Sequence, residues 1–462
     1  MQRSPLPSAA AMASLDQALR ISAAADNYLH NPYLDPVGYD SAREALGEHL
    51  ATAEALLEIL VNAKKYSEAR RLLVGFVNLM FRLGEASWPA PLFPETTYTS
   101  LELSVTAVAE VLAAALRCSV ELRNFGGEST AVKETRAATW RACFADSLYE
   151  AMKLKEVIHA QNVLLLGESG TGKEILARAI QYGCISAEGT QPRFSSVSAA
   201  AMPETLLESE LFGHVKGAFS GADRNRVGRL EEMHRGTIFL DEIADLSPAT
   251  QPKLLRVLQE RKVTPLGASD ERPADARVIT ATSQPIERMV NESRFRLDLY
   301  ERLAGIVIRI PPLRERREDI RKLAQGIIQR ILREPGVVRV SGGGSVGTFP
   351  GAQPAQQRAV AAMDYLEKRH DYDWPGNVRE LENELRARIL GFDGKNSSLN
   401  IAITTADDDL FLRRVFDCDV SQDALLSWYT DRVLRRCGGN KTKAAEILGI
   451  DRNTLARKSK KE

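Results

Sequence analysis

Two short stretches carry residue types at spacings that could do chemistry on a phosphorylated substrate. Gly167-Glu168-Ser169-Gly170-Thr171-Gly172-Lys173-Glu174 lies between the apolar run Val163 to Leu166 and the helical pattern Ile175 to Ile180. A buried strand, a glycine turn and a helix form the setting in which such a loop binds phosphate. Gly167, Gly170 and Gly172 let the backbone turn its N–H groups inward, and the helix N-terminus and the Lys173 ammonium face the same point. That point suits the β- and γ-phosphates of a nucleotide. A Ser or Thr usually follows the Lys as a Mg²⁺ ligand; Glu174 stands there, so Mg²⁺ would lean on a carboxylate elsewhere and on water.

The second stretch, Thr237-Ile238-Phe239-Leu240-Asp241-Glu242, reads as a buried strand ending in two carboxylates. Asp241 is placed to hold Mg²⁺, directly or through water, and Glu242 to orient and polarise the attacking water. Thr237 joins the candidate nucleotide-binding residues. A pair of acids at a strand end can also cap a helix, and Ser247-Pro248 starts one nearby.

The elements that must position these residues alternate strand and helix from Asn162 to Pro312, which argues a parallel α/β sheet. Residues 14 to 125 read as several helices, with apolar three- and four-residue spacing over Ala51 to Leu60, Lys65 to Leu83 and Leu101 to Leu116, and a Pro-rich break at Trp88 to Pro94. No chemistry is legible in them. Tyr66, Ala69 and Leu72-Leu73 faintly suggest a helical repeat, although core packing explains them as well. A linker containing Gly126-Gly127 leads to Thr139 to Ala160, helical in pattern. A mostly helical segment runs from Pro312 to about Leu390, interrupted by a Gly-rich insertion at Ser341 to Pro354.

The chain closes on Gly438 to Lys458, which reads as helix, glycine turn, helix. Ala444, Ala445, Leu448, Ile450 and Leu455 would pack the two helices together. Arg452, Asn453 and Thr454 sit early in the second helix, where side chains meet base edges of double-stranded DNA. Lys441, Lys443, Arg457 and Lys458 suit phosphates. The last 32 residues hold ten Lys/Arg against four Asp/Glu, whereas the 462-residue chain balances 61 basic against 61 acidic residues. A nucleic-acid surface is therefore local.

At 44% hydrophobic and 26% charged the composition is that of a soluble globular protein, with length for about three domains. Five scattered cysteines without Cys-x-x-Cys spacing suit a reducing cytosol, so the expected location is cytoplasmic. No apolar run approaches the roughly 18 residues of a membrane span. Two prolines and Asp16 spoil a signal region at the start, and Met1 and Met12 both read as starts.

These motifs, in this order, resemble the AAA+ ATPases that activate bacterial transcription by the sigma-54 RNA polymerase, over roughly Ala142 to Leu390 and again Asp423 to Lys461. The most specific piece is Glu210-Leu-Phe-Gly-His214 running into Gly217-Ala218-Phe219-Ser220-Gly221-Ala222. The resemblance implies that this hexapeptide tips a loop contacting the sigma factor, with Phe219 as an exposed apolar anchor; the family has Thr where Ser220 stands. It further implies that Arg296 and Arg302, in Phe295 to Leu303, reach the nucleotide of a neighbouring subunit. Arg379, in Trp374-Pro-Gly-Asn-Val-Arg-Glu-Leu381, would sense the nucleotide from the lid, and the subunits would form a ring of six or seven.

Three departures stand out: Ser198 where the family has Asn, Thr282-Ser283 where it has Thr-Asn, and Met233-His234-Arg235-Gly236 where it has small residues and a second glycine. Serine is shorter than Asn, so contacts to Glu242 or the γ-phosphate would be lost or carried by water.

The resulting expectation is a multidomain chain. An all-α N-terminal regulatory domain spans 1–138, an α/β AAA+ P-loop core 139–312 and a helical lid 313–390. A linker spans 391–421 and a Fis-type all-α helix-turn-helix 422–462. The expected function is that of an ATP-hydrolysing activator that binds upstream promoter DNA and remodels the sigma-54 polymerase closed complex. The alternative is a DNA-binding regulator of the same fold acting by occupancy or repression, with weak or uncoupled hydrolysis.

Overall fold

The computed structural model describes residues 14–83, 93–185, 193–333, 355–369 and 371–390, with isolated positions between 426 and 449. The chain forms two compact units, 1–392 and 393–462.

In the first unit, helices α1 (Leu15–Leu29), α2 (Pro36–Glu48), α3 (Ala53–Asn62), α4 (Tyr66–Leu83), α5 (Glu95–Ser100) and α6 (Val105–Asn124) come first. Their starts are capped by side chains that meet the otherwise unsatisfied first-turn amides: Ser14 on Gln17, Asp35 on Gly38 and Ser104 on Ala107. Ala69, Leu72 and Leu73 are fully buried, so the faint repeat pattern is core packing. The stretch Thr139 to Ala160, helical in pattern, falls on two helices, α7 (Thr130–Phe144) and α8 (Leu148–Ala160). Ala145 takes a left-handed φ of 52° and Ser147 restarts the chain by capping Tyr149, a local break that apolar periodicity does not encode. Position 138 therefore falls inside α7 rather than between domains.

The α/β part follows: β1 (Val163–Leu166), α9 (Lys173–Tyr182), β2 (Phe194–Ser198), α10 (Glu204–Phe212), β3 (Gly213–His214), β4 (Arg226–Val227), α11 (Arg229–Glu232), β5 (Thr237–Asp241), α12 (Thr250–Glu260), β6 (Lys262–Val263), β7 (Arg272–Pro273), β8 (Arg277–Thr282), α13 (Ile286–Asn291), α14 (Leu297–Leu303) and β9 (Ile306–Arg309). Five strands form a parallel sheet in the order β2-β5-β8-β1-β9. Strand β1, apolar throughout, is buried at every position, and so is β8, whose Arg277, Thr280 and Thr282 are buried with its apolar residues, as in a sheet covered on both faces. One face carries α9 and α6, and their core is continuous from Ala18 to Ile310, so the N-terminal helices and the sheet share buried side chains. The second core lies between the other face and α10, α12 and α14.

The lid is α15 (Ile320–Arg333), α16 (Ala355–Glu367) and α17 (Asn377–Leu390) around Trp374, Leu381 and Leu385. The Gly-rich insertion Ser341 to Pro354 lies outside the described residues. So do Lys441, Lys443, Arg452, Asn453, Thr454, Arg457 and Lys458 of the expected DNA-reading end. Within that second unit Val433 and Ala445 are buried and Gly449 has a φ of 65°, the left-handed value that suits the expected glycine turn. Among the described residues no helix is long and apolar enough to cross a membrane.

Candidate nucleotide site and contact loop

At the carboxyl end of the parallel sheet, where α/β folds place ligands, lies a cavity of about 510 Å³. Its phosphate end is the loop between β1 and α9. Gly170 has a φ of 76°, and a Cβ there would stand 2.3 Å from the Gly376 carbonyl oxygen, so the loop and the lid approach at a distance no side chain allows. Val378 N–H donates to the Gly170 carbonyl at 3.0 Å. Gly172, at φ 107°, opens α9 with the Phe125 ring against its Cα. Lys173 is buried and donates to the Gly167 and Glu168 carbonyls at 2.9 and 3.3 Å, with Glu242 Oε1 at 3.6 Å. Glu174 also lines the cavity at the start of α9, and its carboxylate pairs with Arg178 at 2.7 Å on the exposed side of that helix.

Asp241 ends β5 on the cavity wall, and its Oδ1 accepts the Glu242 amide at 3.0 Å. Burial, and then the neighbouring Glu242 charge, push its carboxyl above the usual range. Glu242 itself sits at a φ of 48°, a conformation that side chains other than glycine adopt at a cost of about 1–3 kcal/mol. Thr237 corrects the expectation: it heads the same strand, fully buried beside Cys184 Sγ at 3.5 Å, at the end opposite Asp241, because an extended strand separates its ends.

The lid closes on the loop through a set that sequence reasoning half found. Arg379 donates to Ser169 Oγ at 3.2 Å and lines the cavity. Arg314 forks onto Glu168 at 2.7 and 2.9 Å, holding that carboxyl below its usual range. Asn377 donates to Glu168 and to the Ser169 carbonyl. Arg316, 2% exposed, donates to the Thr171 carbonyl at 3.1 Å and stands 5.1 Å over the Phe125 ring.

The far end of the cavity was missed. Asn124, Phe125 and Gly126, read as the end of a chemically silent region and a linker, line it together with Leu323, Val378 and Glu382. Asp319 fixes this segment by accepting the Glu128 and Ser129 amides at 2.6 and 2.9 Å, and Arg136 holds the Phe125 carbonyl. An aromatic before a Gly-Gly pair was the available signal, and it was too short to stand alone.

Arg296 and Arg302 are outside this cavity. Arg296 precedes α14, exposed, and forks onto Asp298 at 2.7 and 3.0 Å; Arg302 donates to the Leu258 carbonyl at 3.1 Å. The hexapeptide occupies the turn between β3 and β4. Gly217 N–H donates to Ala222 at 2.9 Å and Ala222 N–H to Phe219 at 3.0 Å, with Gly217 and Gly221 at positive φ and Ser220 exposed. Phe219, expected as an exposed anchor, is half-buried, its ring edge-on to His214 at 5.0 Å between centroids, with Ala218 against Gly267. The two-strand turn folds the aromatic back on its own base, which shields part of it from water.

The departures take definite roles. His234 Nδ1 accepts the Asp275 amide at 3.2 Å, and Arg235 adopts a left-handed φ of 58° where the family has glycine. Ser198 is in register with Asp241, and no hydrogen bond of its side chain is found among the described residues. Ser283, against expectation, meets Glu242 directly.

Residues 144–309 match the sigma-54 interaction domain, and 431–461 match the Fis family of bacterial regulatory proteins. The transcriptional regulatory protein ZraR of Klebsiella oxytoca is 43% identical over 306 residues, which are 64% of this chain and 62% of that protein. XylR of Pseudomonas putida is 38% identical over 65% of this chain and 52% of its own length. The Nif-specific regulatory protein of Herbaspirillum seropedicae is 48% identical over 48% of this chain and 37% of its own. The chain thus spans less than two thirds of the length of these regulators. Crystal structures of NtrX from Brucella abortus align over 80% of this chain and 74% of theirs at 28% identity with a TM-score of 0.45, a likeness too weak to transfer geometry. Residues 144–309 thus combine a parallel α/β sheet with a match to the sigma-54 interaction domain, a Fis-family segment follows at 431–461, and the chain resembles the transcriptional regulators named above.

Proposed function

We propose that the protein is an ATP-hydrolysing transcriptional activator that binds promoter DNA through residues 431–462 and uses the Phe219 turn to remodel the sigma-54 polymerase closed complex. The observation that carries the reading is that one matched domain holds both a phosphate loop facing two strand-end carboxylates and a glycine-flanked aromatic turn.

Lys173 turns from its own loop carbonyls to the β- and γ-phosphates, which offer it stronger charge-assisted bonds. The water oxygen bonds to the γ-phosphorus as the bond to the bridging oxygen breaks. ADP keeps that electron pair, and the water proton passes to the Glu242 carboxylate. Mg²⁺ fits the donor set: Asp241 keeps one oxygen clear of its backbone bond, and a hard cation takes oxygen ligands completed by water. Its charge would neutralise the phosphates. Arg296 and Arg302, carried on an exposed face, reach the next subunit's phosphates in a head-to-tail ring of six or seven.

Transcription from a sigma-54 promoter reconstituted with purified polymerase, this protein and ATP tests the reading. Open complexes that require hydrolysable ATP are expected; DNA occupancy with no ATP-dependent transcript would favour the regulator that acts by occupancy.

A further inference from the structure

The N-terminal helices carry a second cavity of about 510 Å³, which shares no lining residue with the nucleotide cavity. It opens between α3 and α5, and its size falls within the roughly 300 to 1,000 Å³ of small-molecule sites. One stripe of α3 forms a wall. Glu54, Leu57, Glu58 and Val61 stand at positions i, i+3, i+4 and i+7, so a helix brings them to one face. Leu57, 3% exposed, and Phe93, 5% exposed, give the cavity an apolar floor. Across from them α5 presents Thr96 and Thr97. Thr99 and Ser100 return their hydroxyls to the carbonyls of Glu95 and Thr97, whereas the hydroxyls of Thr96 and Thr97 make no bond among the described residues.

The charge in this cavity has one sign. Glu54 and Glu58 are exposed, no Lys or Arg lines the cavity, and neither carboxylate has an ion-pair partner among the described residues. Elsewhere in the N-terminal region Asp26, Asp40 and Glu102 meet Arg71, Arg43 and Arg70. Like charges one turn apart repel and weaken a helix, and here the repulsion faces an apolar floor with no cation to relieve it.

We propose that this cavity binds a small aliphatic diamine, with its two ammonium groups on Glu54 and Glu58 and its methylene chain on Leu57 and Phe93. Four residues of α3 separate the carboxylates by about 6 Å along the helix axis, a span that matches the two nitrogens of a four-carbon diamine. The methylenes cover apolar surface as a lysine stem does, while the charged ends stay at the wet rim. Each ammonium carries three donors; a carboxylate takes the first, and the free oxygens of Thr96 and Thr97 accept from across the groove. A dicarboxylate of the same length meets repulsion at both ends, and a monoamine leaves one carboxylate unrelieved. The site needs no ATP chemistry, so it stands or falls apart from the ATPase reading.

The test is calorimetric titration of the full chain with 1,4-diaminobutane. Saturable one-to-one binding is expected. Glu58→Gln should weaken it about tenfold and Glu54→Gln/Glu58→Gln about 100-fold, the scale of losing one and then two charge-assisted contacts. Both positions are exposed and the replacements keep side-chain shape, so the melting temperature should hold. Glu44→Gln/Glu48→Gln, the same spacing on exposed positions of α2 outside the cavity, should leave affinity unchanged. Butylamine should bind about tenfold more weakly than the diamine, and succinate should give no heat of binding. Absence of saturable diamine binding, an affinity untouched by the Glu54/Glu58 double variant, an equal loss in the α2 control, or butylamine as tight as the diamine would each overturn the proposal. Binding of a lysine-rich peptide at Glu54 and Glu58 without binding of the diamine would also overturn it, in favour of a protein partner.

Discussion

The two ends of the nucleotide cavity are built on different principles. The phosphate end is backbone and one ammonium, set on strands whose core side chains are buried to within a few per cent. The far end is side chains from three helical regions: the end of α6, the start of α15 and the first turn of α17. The first is rigid because a sheet holds it. The second exists only while the N-terminal helices and the lid both stay in place, which Asp319, Arg136 and Arg316 arrange. A ligand spanning both ends would touch the N-terminal helical region as directly as Asp241 and Glu242.

This contrast is sharpest in binding energies. Lys173→Ala is expected to weaken ATP binding about 100-fold or more, because two charge-assisted bonds are lost at the rigid end. Calorimetric titration checks it, and near-equal affinities for variant and wild type would break the assignment of the phosphate end. Phe125→Leu keeps bulk and loses the flat ring that packs against Gly172 and under Arg316, so an affinity loss of about fivefold is expected from roughly 1 kcal/mol of lost aromatic packing that shapes the cavity. No change in affinity would mean that this packing does not shape the binding site.

The smallest effect concerns the latch between the ends. Arg314 lowers the Glu168 carboxyl, so the latch contributes stability above the ordinary carboxylate range and loses it as pH falls through the lowered value. Both side chains are more than a third exposed, which limits the contribution to under about 1 kcal/mol. Glu168→Gln should lower the melting temperature slightly at pH 7, and the difference should vanish in strong acid. A difference that grows with acidity would contradict the latch.

The same contrast explains what the residues announced. A phosphate loop is a contiguous string whose glycines and lysine act through local geometry, and Asp241 and Glu242 end a strand visible as an apolar run. The far end depends on where helices land: Phe125 and Arg316 are 191 positions apart by number, and neither carries a local signature. Ser283 was misread for a related reason. Judged by side-chain length it loses a contact, yet its backbone amide and the turn after β8 bring it to Glu242. Thr237 was misplaced by treating a strand as one site, and Ala145 broke a helix through a backbone angle that periodicity does not carry.

The central claim is that ATP chemistry in this cavity drives the Phe219 turn onto sigma-54. Its most direct test is capture of purified sigma-54 by the full chain trapped with ADP and a metal-fluoride phosphate mimic, compared with the ADP form alone. The account predicts capture only in the trapped form and its loss in Phe219→Ala, with ADP affinity and hydrolysis unchanged. Trapped wild type that fails to capture sigma-54, where an established activator succeeds, would contradict it.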